Sequence, residues 1–453
     1  MCYFRAQGRL GRGVRGLSQG TSDMNKAPRV WIAVLFTALA SAGDWPHWRG
    51  PFLNGSADER DLPAKWSRTE NLAWVSPLPG PSGATPVIVN GRVFVSSTDA
   101  ASTDLYAICL DERTGKELWR RRIGASARKV PRNNLASPSP VADTERVFFM
   151  YGSGELVGLN HDGELLWKRN VEAEYGNISV KYGYSCSPLL YDGKLFVLIQ
   201  RRHTAYRAPE STTLDSFILA VDPATGENIW KQPRVTDALD ESLDTYSSPI
   251  IFEKDGRAEL IVIAADYATA NDPETGAELW RYGYAAQKSQ RWRNITSPVT
   301  SDELIYGVRP RGGTGLFALR SGGTGKLDAG YLAWRFDGAT PDVCTPLYYK
   351  GYLYVLDGKS SKVLTCLDAR TGRQKWQGRL GGEGPWRASV TGADDKLYCI
   401  NEAGQAIVLA ADPERFRVIW RVDMVDGPVQ ASIAIANGHL FIRGASKLYR
   451  IGR

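Results

Sequence analysis

The chain has 453 residues, 43% of them hydrophobic and 23% charged, which permits a large buried core and excludes a disordered or collagen-like chain. Much of its formal charge of +7 sits at the N-terminus, where Arg5, Arg9, Arg12, Arg15, Lys26 and Arg29 face a single acid, Asp23. Beyond residue 42 there are 50 basic and 48 acidic side chains, a balance whose weak long-range field argues against a nucleic-acid-binding function.

Residues 1–42 read as a leader. Lys26 and Arg29 precede the apolar run Val30–Ala40, and Ala40-Ser41-Ala42 supplies a small-x-small cleavage pattern, with Met24 as a natural start. The run is short for a bilayer span, so the mature chain is expected to carry no transmembrane segment and to reside in the periplasm or outside the cell. Residues 43–69 form an N-terminal segment containing Asp44-Trp-Pro-His-Trp-Arg-Gly-Pro51 and Asn54-Gly55, expected to pack as an aromatic strip on the wall of the domain that follows.

From residue 70 onward one pattern recurs: Ser/Thr-Pro, three short strands, a turn of the form Asp-x-x-Thr-Gly, and a fourth strand carrying Trp. The clearest turns are Asp111–Gly115, Asp222–Gly226, Asp272–Gly276 and Asp368–Gly372. Asp and Thr can hydrogen-bond the local backbone there, and Gly supplies the left-handed residue. The tryptophans are Trp74, Trp119, Trp167, Trp230, Trp280, Trp334, Trp376 and Trp420, spaced by 42 to 63 residues, which suits one four-stranded unit each. The pattern predicts an all-β, eight-bladed β-propeller over 70–453, with each Trp wedged between blades as a packing device. After Trp420 only three strands remain. The Trp74 strand is therefore predicted to complete the last blade and close the ring.

Six cysteines occur: Cys2, Cys109, Cys186, Cys344, Cys366 and Cys399. None is adjacent to another and no CxxC occurs, so buried free thiols are expected, with room for one bridge. Four histidines (His47, His161, His203 and His439) are too few for a His-rich metal site, and no metal site is predicted. The Gly-rich Gly312–Gly315 and Gly322–Gly325 lack the Lys and helix of a phosphate loop and read as plain loops.

The Asp-x-x-Thr-Gly…Trp pattern resembles the repeats of pyrroloquinoline-quinone (PQQ)-type propellers, which include PQQ-dependent dehydrogenases and the non-catalytic propeller of the outer-membrane barrel-assembly machinery. The resemblance covers roughly residues 70–453, and the 44–55 segment is similar to one common in exported members. It implies one of two functions. The first is a binding or scaffold module, without an assigned cofactor, whose partner is an envelope or extracellular protein, a glycan or a small anionic ligand. The alternative is a PQQ-dependent alcohol or sugar oxidoreductase using calcium. Catalytic members carry vicinal cysteines and a Glu, Asn and Asp calcium set. Neither is found residue by residue here, which favours the first reading, with a monomeric chain and no assigned catalytic residue.

Tight turns cluster on one face of such a propeller and irregular loops on the other, so the irregular face is the candidate site. Aligning the repeats on Ser/Thr-Pro places Arg132, Asn133, Asn134, Lys181, Tyr182, Tyr184, Asp244 and Tyr246 around the channel mouth. Arg291, Trp292, Arg293, Asn294, Asp342, Trp386, Arg387 and Gln430 join them from the later blades. Loops on the same face add Arg201, Arg202, His203, Asp266, Tyr267, Arg309, Arg311, Asp357 and Arg443. Arginines and aromatics around one cavity suit a flat or anionic ligand.

Overall fold

In the computed structural model the described residues are 43–202, 215–285, 287–309, 315–424 and 426–452; the leader 1–42, His203, Arg311 and Gly312–Thr314 lie outside them. Eight antiparallel sheets follow one another along the chain. Blade 1 consists of Val87–Val89, Arg92–Thr98, Asp104–Asp111 and Glu117–Ala125. Blades 2 to 7 repeat that order, beginning at Val141, Leu189, Ile250, Val299, Leu347 and Thr391. The eighth blade takes Ala434–Ala436, His439–Arg443 and Lys447–Ile451 from the C-terminus and Leu72–Pro77 from the N-terminal part of the chain. This last strand pairs antiparallel to Lys447–Ile451, from Leu72 opposite Ile451 to Pro77 opposite Lys447. The predicted closure is therefore the observed one.

The core lies between blades rather than at the centre. Apolar residues on facing sheets merge, for instance Phe94 and Cys109 of blade 1 with Val147 and Phe149 of blade 2. Five cysteines, from Cys109 to Cys399, are buried free thiols, and burial raises the Cys109 thiol to about 12. Both faces of each sheet meet a neighbouring blade, so the middle strands are continuously apolar, as in the fully buried Phe217–Val221.

Each tryptophan reaches across to the next blade's turn. Trp74 Nε1 donates to Glu112 O (2.8 Å), Trp119 to His161 O (2.8 Å), Trp167 to Pro223 O (2.8 Å) and Trp230 to Pro273 O (3.1 Å). Trp334 and Trp376 do the same to Ala369 O and Asp412 O. The Asp of each turn holds the loop, as Asp111 Oδ1 accepts from Thr114 N at 2.8 Å. Its Gly then lies flat against the indole: at Gly115 (φ +72°) an added Cβ would come within 2.6 Å of the Trp74 ring. Two tryptophans depart from the rule for visible reasons. In blade 5 the turn is replaced by a long connection in which Gly325–Lys326 pairs with the outer strand of blade 4, and Trp280 donates to Glu259 Oε2 instead. In blade 8 no turn joins Lys447–Ile451 to Leu72–Pro77, and Trp420 donates instead to Trp66 O of the segment that leads into Leu72.

The aromatics of that segment pack on the domain, with Trp45 and Trp66 buried in one cluster with blade residues. The segment crosses the end of the channel opposite the irregular loops. Trp45 pairs with Ile88 of blade 1, Pro46 O accepts from Ala142 N of blade 2, Asn54 O accepts from Tyr348 N of blade 6, and Ala57 N donates to Gly392 O of blade 7. Trp45 is fully buried, and Trp48 enters the channel.

Candidate binding site at the channel mouth

The innermost strands are short edges, and in six blades Pro follows the hydroxyl residue that precedes them. Pro lacks an N–H and is tolerated at the start of an edge strand. The hydroxyls themselves form a closed circuit. Thr85 N donates to Ser139 Oγ (2.9 Å), Ser139 N to Ser187 Oγ (3.0 Å), Ser187 N to Ser248 Oγ (2.8 Å) and Ser248 N to Ser297 Oγ (2.8 Å). The circuit continues through Thr345, Ser389 and Ser432 and returns to Thr85 Oγ1 (3.1 Å). Every blade is thus tied to the next at the waist of the channel, each inner backbone donor meeting the hydroxyl beside it.

A cavity of about 200 Å³ opens on this ring. Seven of the eight ring residues line it, with Trp48 also in its lining. The residue two positions before each ring hydroxyl forms the next tier: Gly83, Ser137, Ser185, Tyr246, Ile295, Val343, Arg387 and Gln430. Uniform chemistry at the waist gives way to varied chemistry above it. At the rim stand Arg132, Asn133, Tyr182, Arg293, Asp342 and Lys359.

The structure therefore brings Arg132, Tyr246, Arg293, Asp342, Arg387 and Gln430 together around one cavity. Asn133 and Tyr182, also predicted, join them at the rim. The remaining predicted residues lie elsewhere, mostly for a simple reason: in extended backbone, successive side chains point to opposite sides. Tyr184, Asn294 and Trp386 each lie three positions before a ring hydroxyl and pack between blades. Tyr184 donates to Leu198 O (3.0 Å), Asn294 Oδ1 accepts from Tyr284 Oη (2.5 Å), and Trp386 Nε1 donates to Gly381 O (2.9 Å). Asn134 caps Ala136 N. Asp244 is fully buried, accepting from Arg202 Nε (2.8 Å) and Lys181 N (3.1 Å), while Lys181 Nζ meets Glu241 (3.0 Å). Desolvation raises the Asp244 carboxyl, with Arg202 opposing.

The loop arginines are structural. Arg201 donates to the carbonyls of Tyr175, Gly176, Asn177 and Asp215, and Arg443 donates to Ser96 O (2.7 Å) and Gly80 O (3.1 Å). Arg309 lies over Trp292, its guanidinium carbon 3.6 Å from the ring centroid. Asp357 holds the turn at Ser360 and Ser361. Tyr267 Oη donates to Asp237 (2.9 Å), and burial raises the Asp266 carboxyl, opposed by Lys288 and Arg309. Guanidiniums matched to clustered carbonyls satisfy backbone groups that blade junctions would otherwise leave unpaired.

Charge at the cavity is cationic in its lining and partly neutralised behind it. Arg293 Nη1 lies 3.0 Å from Glu241 and its Nη2 3.8 Å from Asp342; Lys359 lies 3.2 Å from Asp342, and Arg387 2.7 Å from Glu402. Arg132 makes no ion pair among the described residues. Trp48, Lys359 and the hydroxyl ring were not anticipated as site residues. The Ser/Thr-Pro repeat was the available signal for the ring.

Among the described residues no three His, Cys, Asp or Glu side chains gather as a metal-ligand set, and the carboxylates nearest the cavity face cations. Calcium is thus a poor match to these donors, whereas four cations in the lining suit the acid groups of an anion.

The chain matches the family described as outer membrane protein assembly factor BamB over residues 56–197, 265–412 and 360–451. The polyvinylalcohol dehydrogenase of Sphingopyxis sp. (strain 113P3) is 26% identical over 216 residues, 46% of this chain and 31% of that protein. A second, from Pseudomonas sp., is 27% identical over 198 residues, covering 43% and 29%. The alignments thus span less than a third of either relative. Among solved structures, a europium-containing methanol dehydrogenase superposes with a TM-score of 0.67 at 12% identity over 90% of each chain. BamB from Moraxella catarrhalis gives 0.57 at 13% identity, covering 84% of this chain and 99% of that one. Identity so low speaks for a shared fold alone. The family match, however, spans most of the blades whose turns and tryptophans were described above, and the chain belongs to the BamB-like family of PQQ-type β-propellers.

Proposed function

We propose that the protein is an exported binding module that holds an anionic ligand, or the acidic part of a larger partner, in the channel mouth. The observation that carries this reading is the cavity lined by Arg132, Arg293, Lys359 and Arg387 against one lining carboxylate among the described residues, Asp342. Arginine forks pair with carboxylates in two-point fashion, and Trp48, Tyr182 and Tyr246 offer apolar faces to a ring. The family's BamB description and the leader pattern of residues 26–42 support export and a scaffold role. A PQQ-dependent oxidoreductase is the second reading, favoured by the dehydrogenases among the relatives.

One experiment separates them. PQQ, a tricarboxylate, is titrated into the protein with and without calcium, following tryptophan fluorescence and dye-linked alcohol oxidation. Binding that needs no calcium and gives no turnover is the expected result, and Arg293→Ala with Arg387→Ala should weaken it by about tenfold or more. Calcium-dependent turnover would establish the second reading. Equal affinity in the double variant would remove the site assignment.

A further inference from the structure

Each of the eight ring hydroxyls accepts one backbone N–H, and among the described residues none donates its own proton to a protein atom. All eight are at least nine-tenths buried, and seven line the cavity. A hydroxyl that accepts a hydrogen bond is polarised toward donating one. The waist therefore presents eight hydroxyls, seven of them lining the cavity, whose protons meet no protein acceptor among the described residues.

Two arginines flank it. Arg49, fully buried, is held by carbonyls alone: Val390 O (3.1 Å), Pro346 O (2.8 Å) and Asn54 O (3.0 Å). Val390 and Pro346 directly follow the ring residues Ser389 and Thr345. No carboxylate lies within ion-pair distance of Arg49 among the described residues, and its Nε has no partner. A buried guanidinium without a counter-charge is costly, and an anion nearby would offset that cost. On the rim side, Arg293 is also nine-tenths buried, lines the cavity, and leaves its Nε unpartnered.

We propose that the channel waist is a seat for an oxyanion, with the ring hydroxyls donating to it, Arg49 supplying the compensating charge and the unpartnered Nε of Arg293, whose other nitrogens face Glu241 and Asp342, a further donor. This rests on the reading of the channel as an anion site and names the group that goes deepest, a carboxylate or a small inorganic oxyanion. A cation is disfavoured because Asp342 is the one carboxylate in the lining among the described residues, and it lies near Arg293 and Lys359.

Crystals of the protein soaked in selenate give a direct test through the anomalous signal of selenium. The expected peak lies within hydrogen-bond distance of the ring hydroxyls. In solution, Ser187→Ala should weaken inorganic phosphate, titrated by calorimetry at constant ionic strength, by about tenfold. Ser187→Thr, the residue already present at ring positions 85 and 345, should restore it. A peak confined to Arg293 and Arg387, or equal phosphate affinity in the Ala and Thr variants, overturns the seat while leaving the mouth reading intact. Absence of any oxyanion or PQQ binding overturns both. Because Ser187 Oγ accepts from Ser139 N, the Ala variant can be unstable; the selenate experiment needs no substitution and decides the question alone. Displacement of selenate by PQQ assigns the seat to the ligand's acid group, and selenate retained beside PQQ assigns it to a free inorganic anion.

Discussion

Replacing Gly115 by alanine isolates the contact that joins one blade to the next. Two costs add. Gly115 has φ +72°, a left-handed conformation that costs a residue with a Cβ about 1–2 kcal/mol. The new methyl would also sit 2.6 Å from the Trp74 indole, and the ring is held by its bond to Glu112 O, so it cannot retreat without losing that bond. Overpacking of this kind costs about 1–3 kcal/mol, for a total of about 2–5 kcal/mol. Gly351 is the internal control, with φ +82° and open space where its Cβ would go, so Gly351→Ala should lose only the backbone part. Urea unfolding midpoints at unchanged m-value measure both. Combining Gly115→Ala with Trp74→Leu should then cost less than the two changes summed. If Gly115→Ala were no worse than Gly351→Ala, the docking of tryptophan onto the neighbouring turn would not be what joins the blades.

Removing residues 70–77 should lower the thermal midpoint sharply, since it takes away both the outer strand of blade 8 and the Trp74 contact to blade 1, and the bared Lys447–Ile451 edge should promote association visible by size-exclusion chromatography. Arg443→Met leaves the carbonyls of Ser96 and Gly80 without their donor and should cost about 2–5 kcal/mol, whereas Arg415→Met, at an exposed ion pair, should change the midpoint by less than about 1 kcal/mol. His47 is held neutral by burial, its pKa lowered from 6.5 to about 4. The unfolded chain therefore binds the proton more readily, and the stability that His47 contributes is full above pH 6.5 and lost as pH falls toward 4. His47→Gln should flatten the stability profile in that window. Asp266 has the opposite sign: its raised carboxyl makes stability fall as pH rises through the folded value, and Asp266→Asn should remove that slope.

The repeat made the architecture legible because each blade states the same three signals, a Ser/Thr-Pro start, an Asp…Gly turn and a Trp. Even the closure could be read, since a Trp-bearing strand was spare at one end and missing at the other. The site was legible in part. Sequence offset located the mouth but not the side of the strand, and one residue decides it: Arg387 lines the cavity while its neighbour Trp386 packs between blades. Arg201 and Arg443 looked like ligand contacts because arginine suits anions, yet backbone carbonyls at the blade junctions claim them. Trp48 was out of reach because nothing local tells a segment which end of the channel it will cross.

The pairing of Leu72–Pro77 with Lys447–Ile451 has a mechanical consequence. Leu72, from which the chain runs back toward its start, stands opposite Ile451, from which it runs to its end, so both tails leave the latch at the same end. Tension between the two tails would open this pair one hydrogen bond at a time, the weakest way to load antiparallel strands. A pull from the N-terminal side, however, must first strip Trp45 from Ile88, Arg49 from its carbonyls and Trp66 from Trp420. The segment that crosses the channel thus acts as strain relief for the joint that holds the ring shut.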